Sequence, residues 1–311
     1  MIATVTLNPS LDKTITVDRL VLDEANRWTS LRRDAGGKGI NVSRVLHELK
    51  CDTTAYGFNG GVDGDVLAHL LKRHGVPFDF THIDGEIRSN LIITNMETRR
   101  QTRIDAPGPR VSEEELDSLI AKLRSIKPKP DFLVFAGSVP PGVPKTIYHR
   151  MISMAKQDGI KTVLDCDGEW LKEGIKAVPC IIKPNVHEAE QLLDKKLTDE
   201  ESIIKAVEQL LSRGIEIVIV SRGKDGLIVS DGVEMFKVTS PQVEVSSTVG
   251  AGDSAIAGLL FKLSKGESLE EAARLAVAAG TATALTPGTE LCHREDVEKL
   301  LPLVEVQIIK R

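Results

Sequence analysis

The stretch "DEESIIKAVEQLLSRGIEIVIVS" at residues 199–221 contains one complete unit of the pattern that sets the fold. Apolar residues recur at helical spacing over 199–213, and Gly214 is a typical residue just beyond a helix end. The run "EIVIVS" at 216–221 is short, apolar and rich in β-branched residues, as in a buried strand. A helix that leads directly into such a strand is the building unit of a parallel sheet.

The same unit recurs along the chain. Further strand-like runs are "IATVTL" (2–7), "DFLVFAG" (131–137), "KTVLDC" (161–166) and "PCIIKPN" (179–185). Helical patterns cover 39–49, 62–74, 112–126, 143–157, 199–213, 254–265 and 268–285. Ser112 with Glu115 forms a capping-box pattern, and Gly159 indicates another helix end. The sequence therefore predicts an α/β fold whose mostly parallel sheet is covered by helices on both faces.

Composition excludes several classes of function. The 311 residues include 40 basic and 45 acidic side chains, and this net charge of −5 argues against nucleic acid or an anionic membrane as a partner. No apolar run approaches the roughly 20 residues of a membrane helix, and the N-terminus lacks a signal-peptide pattern. The four cysteines lack zinc-site spacing, which predicts buried thiols in a reducing compartment and a cytoplasmic location.

Two segments depart from the alternation of helix and strand. Residues 13–34 and 89–106 resemble antiparallel strand pairs, and the second pair turns near Glu97 to Arg100. Together they predict a small sheet that covers the carboxyl ends of the main strands as a lid, within one continuous domain over residues 1–311. A second subunit would cover the exposed edges of this sheet, which predicts a homodimer. The alternative is a pair of surface hairpins without function.

The motif "STVGAGDSAIAGLL" at 247–260 places two glycines and an aspartate at the start of an apolar helix. The first N–H groups of a helix lack partners and carry partial positive charge, and Gly250 and Gly252 leave room for an anion to approach them. Asp253 would accept a proton from a substrate hydroxyl while the amides hold a phosphoryl group. The motif thus indicates phosphoryl transfer to an alcohol, with simple helix capping as the alternative role of Asp253.

A second glycine cluster, "AGGKGIN" at 35–41, also opens a helical run. It matches neither the P-loop nor the dinucleotide fingerprint. Gly36, Gly37 and Gly39 would let the backbone contact a sugar, with Asn41 as donor and acceptor. A tight turn into a helix is the structural alternative.

The segment "KPNVHE" at 183–188 places Asn185 and Glu188 on one face of a helical turn. An amide and a carboxylate there would position Mg²⁺ against nucleotide phosphates, directly or through water. Their alternative role is that of a capping Asn and a first-turn Glu.

Polar residues in or beside the lid segments predict a sugar-phosphate site. Arg27, Arg88 and Arg103 would grip a phosphate already present on the acceptor, and Asp12 would accept hydrogen bonds from sugar hydroxyls. Ordinary surface arginines and a solvated loop are the alternatives.

These motifs, in this order and spacing, resemble those of the ribokinase-like (PfkB) carbohydrate kinases over essentially the whole chain. The resemblance implies a three-layer αβα core, a β-lid through which the chains dimerise, and ATP as phosphoryl donor with Mg²⁺. It implies that Asp253 is the base and that Gly250, Ala251 and Gly252 form the anion hole. The other site residues that it implies are Asp12, Gly37, Lys38, Asn41 and Ser138 around the sugar, Arg27, Arg88 and Arg103 on its phosphate, Lys183, Asn185, Ser221, Gly223, Thr248 and Gly252 at the nucleotide, and Asn185 and Glu188 at Mg²⁺.

Within the family, "TLNPSLD" (6–12), "GSVPPGV" (137–143) and "GTELC" (288–292) are similar to the phosphosugar branch. That branch phosphorylates fructose 6-phosphate, fructose 1-phosphate or tagatose 6-phosphate. The surroundings of Arg27 favour the last two acceptors, whereas "GTELCHREDV" (288–297) favours fructose 6-phosphate, to which we give more weight. A sugar-phosphate-binding regulator without catalysis is the alternative from another class, and a dinucleotide-dependent oxidoreductase lacks its glycine fingerprint.

Overall fold

A computed structural model describes residues 1–310 and contains two sheets, with elements numbered along the chain. The large sheet has ten strands in the spatial order β14 (Glu305–Lys310), β13 (Met235–Thr239), β12 (Leu227–Ser230), β11 (Ile217–Ser221), β10 (Ile181–Ile182), β9 (Lys161–Asp165), β8 (Phe132–Ala136), β1 (Ile2–Thr6), β4 (Thr53–Asn59) and β5 (Phe78–His82). The pairs from β11 to β5 are parallel, and those from β11 to β14 are antiparallel. The mostly parallel sheet is confirmed.

Helices cover both faces of this sheet. They are α1 (Lys38–Glu48), α2 (Gly61–Arg73), α3 (Glu113–Ser125), α4 (Ile147–Gln157), α5 (Gly168–Gly174), α6 (Val186–Leu193), α7 (Glu200–Leu211), α8 (Ala251–Leu263), α9 (Leu269–Leu285) and α10 (Arg294–Leu300). Short 3₁₀ turns lie at Ile175–Ala177, Gly223–Asp225 and Leu301–Leu303. Helices α3 to α7 pack in one apolar core, and α1, α8, α9 and α10 pack in a second.

Alternation along the strands explains the three layers. In β8, Leu133 and Phe135 belong to the first core, while Phe132 and Val134 belong to the second. Successive strand side chains point to opposite faces, so a continuous apolar run supplies both cores at once. The predicted αβα arrangement is therefore confirmed.

The second sheet, called the small sheet, has the order β3 (Ser30–Gly36), β2 (Ser10–Val17), β6 (Arg88–Asn95) and β7 (Arg100–Ile104). Both predicted pairs are present and antiparallel, and the second turns over residues 96–99 as expected. The pairs join through parallel pairing of β2 with β6, which was not predicted because the two strands lie far apart in sequence.

Several boundaries differ from the prediction for local reasons. The run 179–185 contributes only Ile181–Ile182 to β10, because Pro184 lacks an N–H and Asn185 already caps α6. Helix α8 begins at Ala251, so Asp253 lies inside its first turn. Of the four free cysteines, Cys166 and Cys292 are buried as predicted, but Cys51 and Cys180 are only half-buried. Within residues 1–310, no helix has both the length and the apolarity needed to span a bilayer.

Candidate active site

The N-terminus of α8 opens at the carboxyl side of the large sheet. Its N-cap residue Gly250 has φ +82°, and a Cβ there would lie 2.4 Å from a methyl group of Leu291, so only glycine fits without displacement. The Ala251 amide donates a long hydrogen bond to the Thr248 carbonyl (3.4 Å). A Cβ on Gly252 would lie 3.2 Å from Nζ of Lys183. An anion at these amides would therefore lie beside a lysine ammonium group.

Asp253 is buried in the first turn of α8. Burial raises the pKa of Asp253 to about 6, although the nearby Lys38 ammonium and a hydrogen bond from Asn41 oppose this shift. Nδ2 of Asn41 donates to Oδ2 of Asp253 at 2.8 Å. A carboxylate with a pKa near neutrality can accept a proton from an alcohol and later release it.

Asp165, at the end of β9, joins two predicted site lysines. Nζ of Lys38 and Nζ of Lys183 each lie 3.5 Å from Oδ1 of Asp165. Burial alone would raise the pKa of Asp165, but the two ammonium groups lower it overall. Asp165 and Asp253 in turn raise the pKa of Lys38 above its ordinary value, against the effect of burial. The site is thus a cluster of two buried carboxylates and two cations, of which Lys183 is buried and Lys38 is partly exposed.

Asp165 was not predicted as a site residue. The signal was present, because "KTVLDC" ends a buried parallel strand with a carboxylate, and ligand sites form at the carboxyl ends of such strands. Its two lysine partners come from distant parts of the chain, so their meeting could not be derived from local pattern.

A cleft of about 380 Å³ adjoins the start of α8. Five of the six predicted nucleotide residues line it, namely Lys183, Ser221, Gly223, Thr248 and Gly252. Apolar side chains from 243–284, including Val243, Val245 and Val277, form the rest of its wall. An apolar slot that ends at the first amides of a helix and a cation suits a flat base attached to phosphates.

Asn185 and Glu188 form a reciprocal capping box at α6. The Glu188 amide donates to Oδ1 of Asn185 at 2.9 Å, and the Asn185 amide donates to Oε2 of Glu188 at 2.8 Å. Burial raises the pKa of Glu188, and the charge of Asp165 adds to this shift. The capping alternative is therefore realised, and Oε1 of Glu188 lies outside the capping box.

The predicted sugar residues lie where the small sheet meets α1. Asp12 is buried on β2 and accepts hydrogen bonds from Ser10 and Asn90, both at 2.8 Å. Burial raises the pKa of Asp12, and these two hydrogen bonds oppose the shift. Gly37 is the N-cap of α1 with φ +117°, a conformation that favours glycine. Oγ of Ser138 accepts from Nδ2 of Asn8 at 3.2 Å, in a loop beside Lys38.

The three predicted arginines differ in their surroundings. Arg88 donates to the carbonyls of Asn8 (3.2 Å) and Ala106 (3.3 Å), and burial lowers its pKa. Arg103 is exposed and pairs with Asp105 at 3.0 Å. Arg27 is exposed in the connection between β2 and β3, where the structure records no hydrogen bond or ion pair for it within residues 1–310. Arg88 and Arg103 both lie close enough to Asp12 for their charges to lower its pKa.

Comparison with known proteins gives the class. The family model described as pfkB family carbohydrate kinase matches residues 5–296. The chain belongs to this family, as the motifs indicate, and it is a phosphotransferase of the carbohydrate kinase class.

Individual relatives narrow the class from carbohydrate kinases to proteins named phosphofructokinases. The chain is 37% identical over 311 residues to a 1-phosphofructokinase of Borreliella burgdorferi, covering 99% of both chains. It is 35% identical to an ATP-dependent 6-phosphofructokinase isozyme 2 of Mycobacterium tuberculosis, covering 97% of this chain and 89% of that one. Its fold is similar to phosphofructokinase-2 from Escherichia coli crystallised with potassium, with a TM-score of 0.93, 34% identity and coverage of 97% and 98%.

Proposed function

We propose that the protein transfers the terminal phosphoryl group of ATP to the C1 hydroxyl of fructose 6-phosphate. The observation that carries this proposal is the buried Asp253 at the first turn of α8, which follows Gly252 of the cleft wall and accepts a hydrogen bond from Asn41. Similar proteins include both a 1-phosphofructokinase and a 6-phosphofructokinase at nearly equal identity, so fructose 1-phosphate and tagatose 6-phosphate remain the alternative acceptors. The block 288–297 favours fructose 6-phosphate.

The proposed reaction is an in-line displacement at the terminal phosphorus. Asp253 takes the proton of the acceptor hydroxyl, whose oxygen forms the new bond to phosphorus as the bond to the ADP oxygen breaks. The amides at the start of α8 and the ammonium of Lys183 stabilise the charge on the transferring group. Asp12, Asn41 and Ser138 orient the sugar, with Gly37 and Lys38 beside them, and Arg88 and Arg103, together with Arg27, hold its phosphate.

Mg²⁺ fits this site as an ion held mainly by phosphates and water. Within residues 1–310, no three acidic, histidine or cysteine side chains come together as a ligand set. Glu188 keeps one carboxylate oxygen outside its capping box, and Mg²⁺ commonly binds through one or two carboxylates plus phosphates. Asn185 and Glu188 would hold the hydrated ion, which supplies charge neutralisation on the phosphates.

We also propose that the chain acts as one domain in which the small sheet is a lid. Asp12 on β2, Arg88 on β6 and Arg103 on β7 all belong to this sheet and lie near one another, so its movement would carry the sugar contacts with it. Closure would exclude water, which competes with the sugar for the phosphoryl group.

The four free cysteines support the proposed cytoplasmic location.

A homodimer through the small sheet is the proposed assembly. Four large apolar side chains on this sheet and its connections are exposed, namely Leu22 (83%), Trp28 (61%), Met96 (55%) and Ile104 (54%). Apolar side chains that are exposed together on one sheet mark an interaction surface, and a second copy of the sheet would cover them.

We therefore expect Trp28→Glu to raise the dimer dissociation constant by about 30-fold or more, because it places a charge in an apolar interface. Sedimentation equilibrium of the wild type and the variant measures this change. The control is Val233→Glu, since Val233 is 71% exposed at the far end of the large sheet, between β12 and β13. A monomeric wild type, or equal dissociation constants for both variants, would contradict the proposal.

The acceptor is identified by comparing kcat/KM for fructose 6-phosphate, fructose 1-phosphate and tagatose 6-phosphate under the same MgATP concentration. We expect fructose 6-phosphate to be preferred by at least about tenfold, since a site built to hydrogen-bond one sugar leaves polar groups unpaired with another. A preference for another acceptor would show that the proposed substrate is wrong, whereas the assignment to the carbohydrate kinase class would stand. Binding of all three sugars without ADP release would instead indicate the regulator.

A further inference from the structure

Arg44, on the second turn of α1, is linked to the predicted base Asp253 through one side chain, that of Asn41. Its side chain is largely buried, and one terminal nitrogen, Nη1, donates to the carbonyl of Ala35 (2.8 Å) and to Oδ1 of Asn41 (3.3 Å). The other terminal nitrogen, Nη2, lies 4.0 Å from Oδ1 of Asp34. Arg44 therefore joins the end of β3 to the amide that contacts Asp253.

The direction of these hydrogen bonds fixes the Asn41 amide. A guanidinium group only donates, so it holds the oxygen of Asn41 toward itself and turns the NH₂ group the other way. That NH₂ group is the donor to Oδ2 of Asp253 at 2.8 Å. A flipped amide would instead present its oxygen to the carboxylate, and the two would repel each other.

The end of β3, which Arg44 contacts, is itself fixed by hydrogen bonds to other parts of the chain. Asp34 accepts from Nε of Arg32 at 2.9 Å and from Thr289 at 2.6 Å, so β3 is linked to the loop after α9. Burial of the Arg44 guanidinium lowers its pKa, and Asp34 opposes that shift. Burying a guanidinium costs free energy that an apolar residue at this position of α1 would not require.

We propose that Arg44 is a positioning residue that orients Asn41 toward Asp253. It thereby couples the end of β3, in the small sheet, to the base. This proposal rests on the proposed role of Asp253. The charged groups that also face Asp253 are Lys38, Asp165 and Lys183, and none of them contacts Arg44 in the described chain.

The test is a double-mutant cycle between Arg44→Met and Asn41→Ala in the full-length enzyme with MgATP. Arg44→Met should lower kcat on the order of 10- to 100-fold, since a misplaced catalytic contact has effects of this size, and should leave KM for ATP unchanged. The acid-side midpoint of kcat should move to higher pH, because the hydrogen bond that holds the pKa of Asp253 down is lost. In the Asn41→Ala background, Arg44→Met should change kcat by less than about threefold.

Two further variants separate positioning from folding. Arg44→Lys keeps a charged donor and should retain more of kcat than Arg44→Met. The control Arg150→Met removes an exposed arginine that pairs with Asp117 at 2.8 Å, and it should leave kcat and the pH midpoint unchanged.

Equal fold losses in both backgrounds, or an unchanged kcat in Arg44→Met, would overturn the proposal. If Arg44→Met is insoluble, the same cycle with Arg44→Lys decides, and failure of both to fold would assign Arg44 a purely structural role and overturn the proposal. Normal turnover in Asp253→Asn would refute the base itself, whether or not the Arg44–Asn41 cycle is coupled.

Discussion

An Asp253→Asn variant should turn over about a thousandfold more slowly than the wild type, with little change in the KM values for sugar and ATP. The amide has nearly the shape of the carboxylate and keeps the start of α8 intact, but it cannot accept the hydroxyl proton. Steady-state assays with fructose 6-phosphate measure this loss. In the wild type, kcat should fall as the pH drops below about 6, because the pKa of Asp253 is raised to about 6 and the base is then protonated.

Asp296 provides the matched control. It occupies the third position of α10, as Asp253 does in α8, and it pairs with Lys299 at 3.0 Å. Asp296→Asn should therefore leave kcat unchanged. Turnover of Asp253→Asn within a few-fold of the wild type would remove the base from the mechanism, and the acid limb should be absent from whatever activity the variant retains.

Replacing Asp165 with asparagine should lower the free energy of unfolding by about 3 kcal/mol, near the low end of the range for breaking a buried ion pair. The side chain of Lys183 is 7% exposed and would lose its ion pair with Asp165, while that of Lys38 is 35% exposed and is better solvated. Urea unfolding at pH 7 measures the change as a lower midpoint at constant slope.

The pH dependence gives a second measure of the same ion cluster. The pKa of Asp165 is lowered in the folded protein, so the stabilisation is present above its unfolded pKa and is lost as the pH falls through the folded value. The difference between wild type and Asp165→Asn should therefore shrink in acid. Asp158→Asn removes an exposed carboxylate 2.8 Å from Lys129 and should cost less than about 1 kcal/mol. Equal losses in the two variants would show that the buried ion cluster contributes no more than an exposed ion pair.

Local chemistry made much of the architecture predictable. Ser112 and Glu115 form the expected capping box at α3, and Gly159 and Gly214 adopt positive φ just beyond α4 and α7. Strands β4 and β5 follow α1 and α2 but are missing from the prediction, because "TTAYGFN" and "FDFTH" are not continuous apolar runs. The antiparallel strands β12 to β14 are missing as well. Tertiary pairing decides such strands.

The candidate site was only partly predictable for a related reason. Each motif indicated its own chemistry. Asp253 lies in the first turn of α8 and Lys183 directly after β10, so the bounds of these two elements give the positions of both residues. The contacts of Asp165 with Lys38 and of Asn41 with Asp253 join segments more than a hundred residues apart. No periodicity or spacing encodes such contacts, since they depend on how the layers pack.

The parallel pairing of β2 with β6 has a consequence for the order in which parts of the protein fold. Ser10 pairs with Arg88 and Val17 with Asn95, so the chain that forms β3, α1, β4, α2 and β5 lies between the two strands and must loop back before they can align. Closing so long a stretch of chain is entropically slow, whereas each hairpin on either side of it forms locally. The small sheet, and with it the proposed acceptor pocket, should therefore form later in folding than its two hairpins.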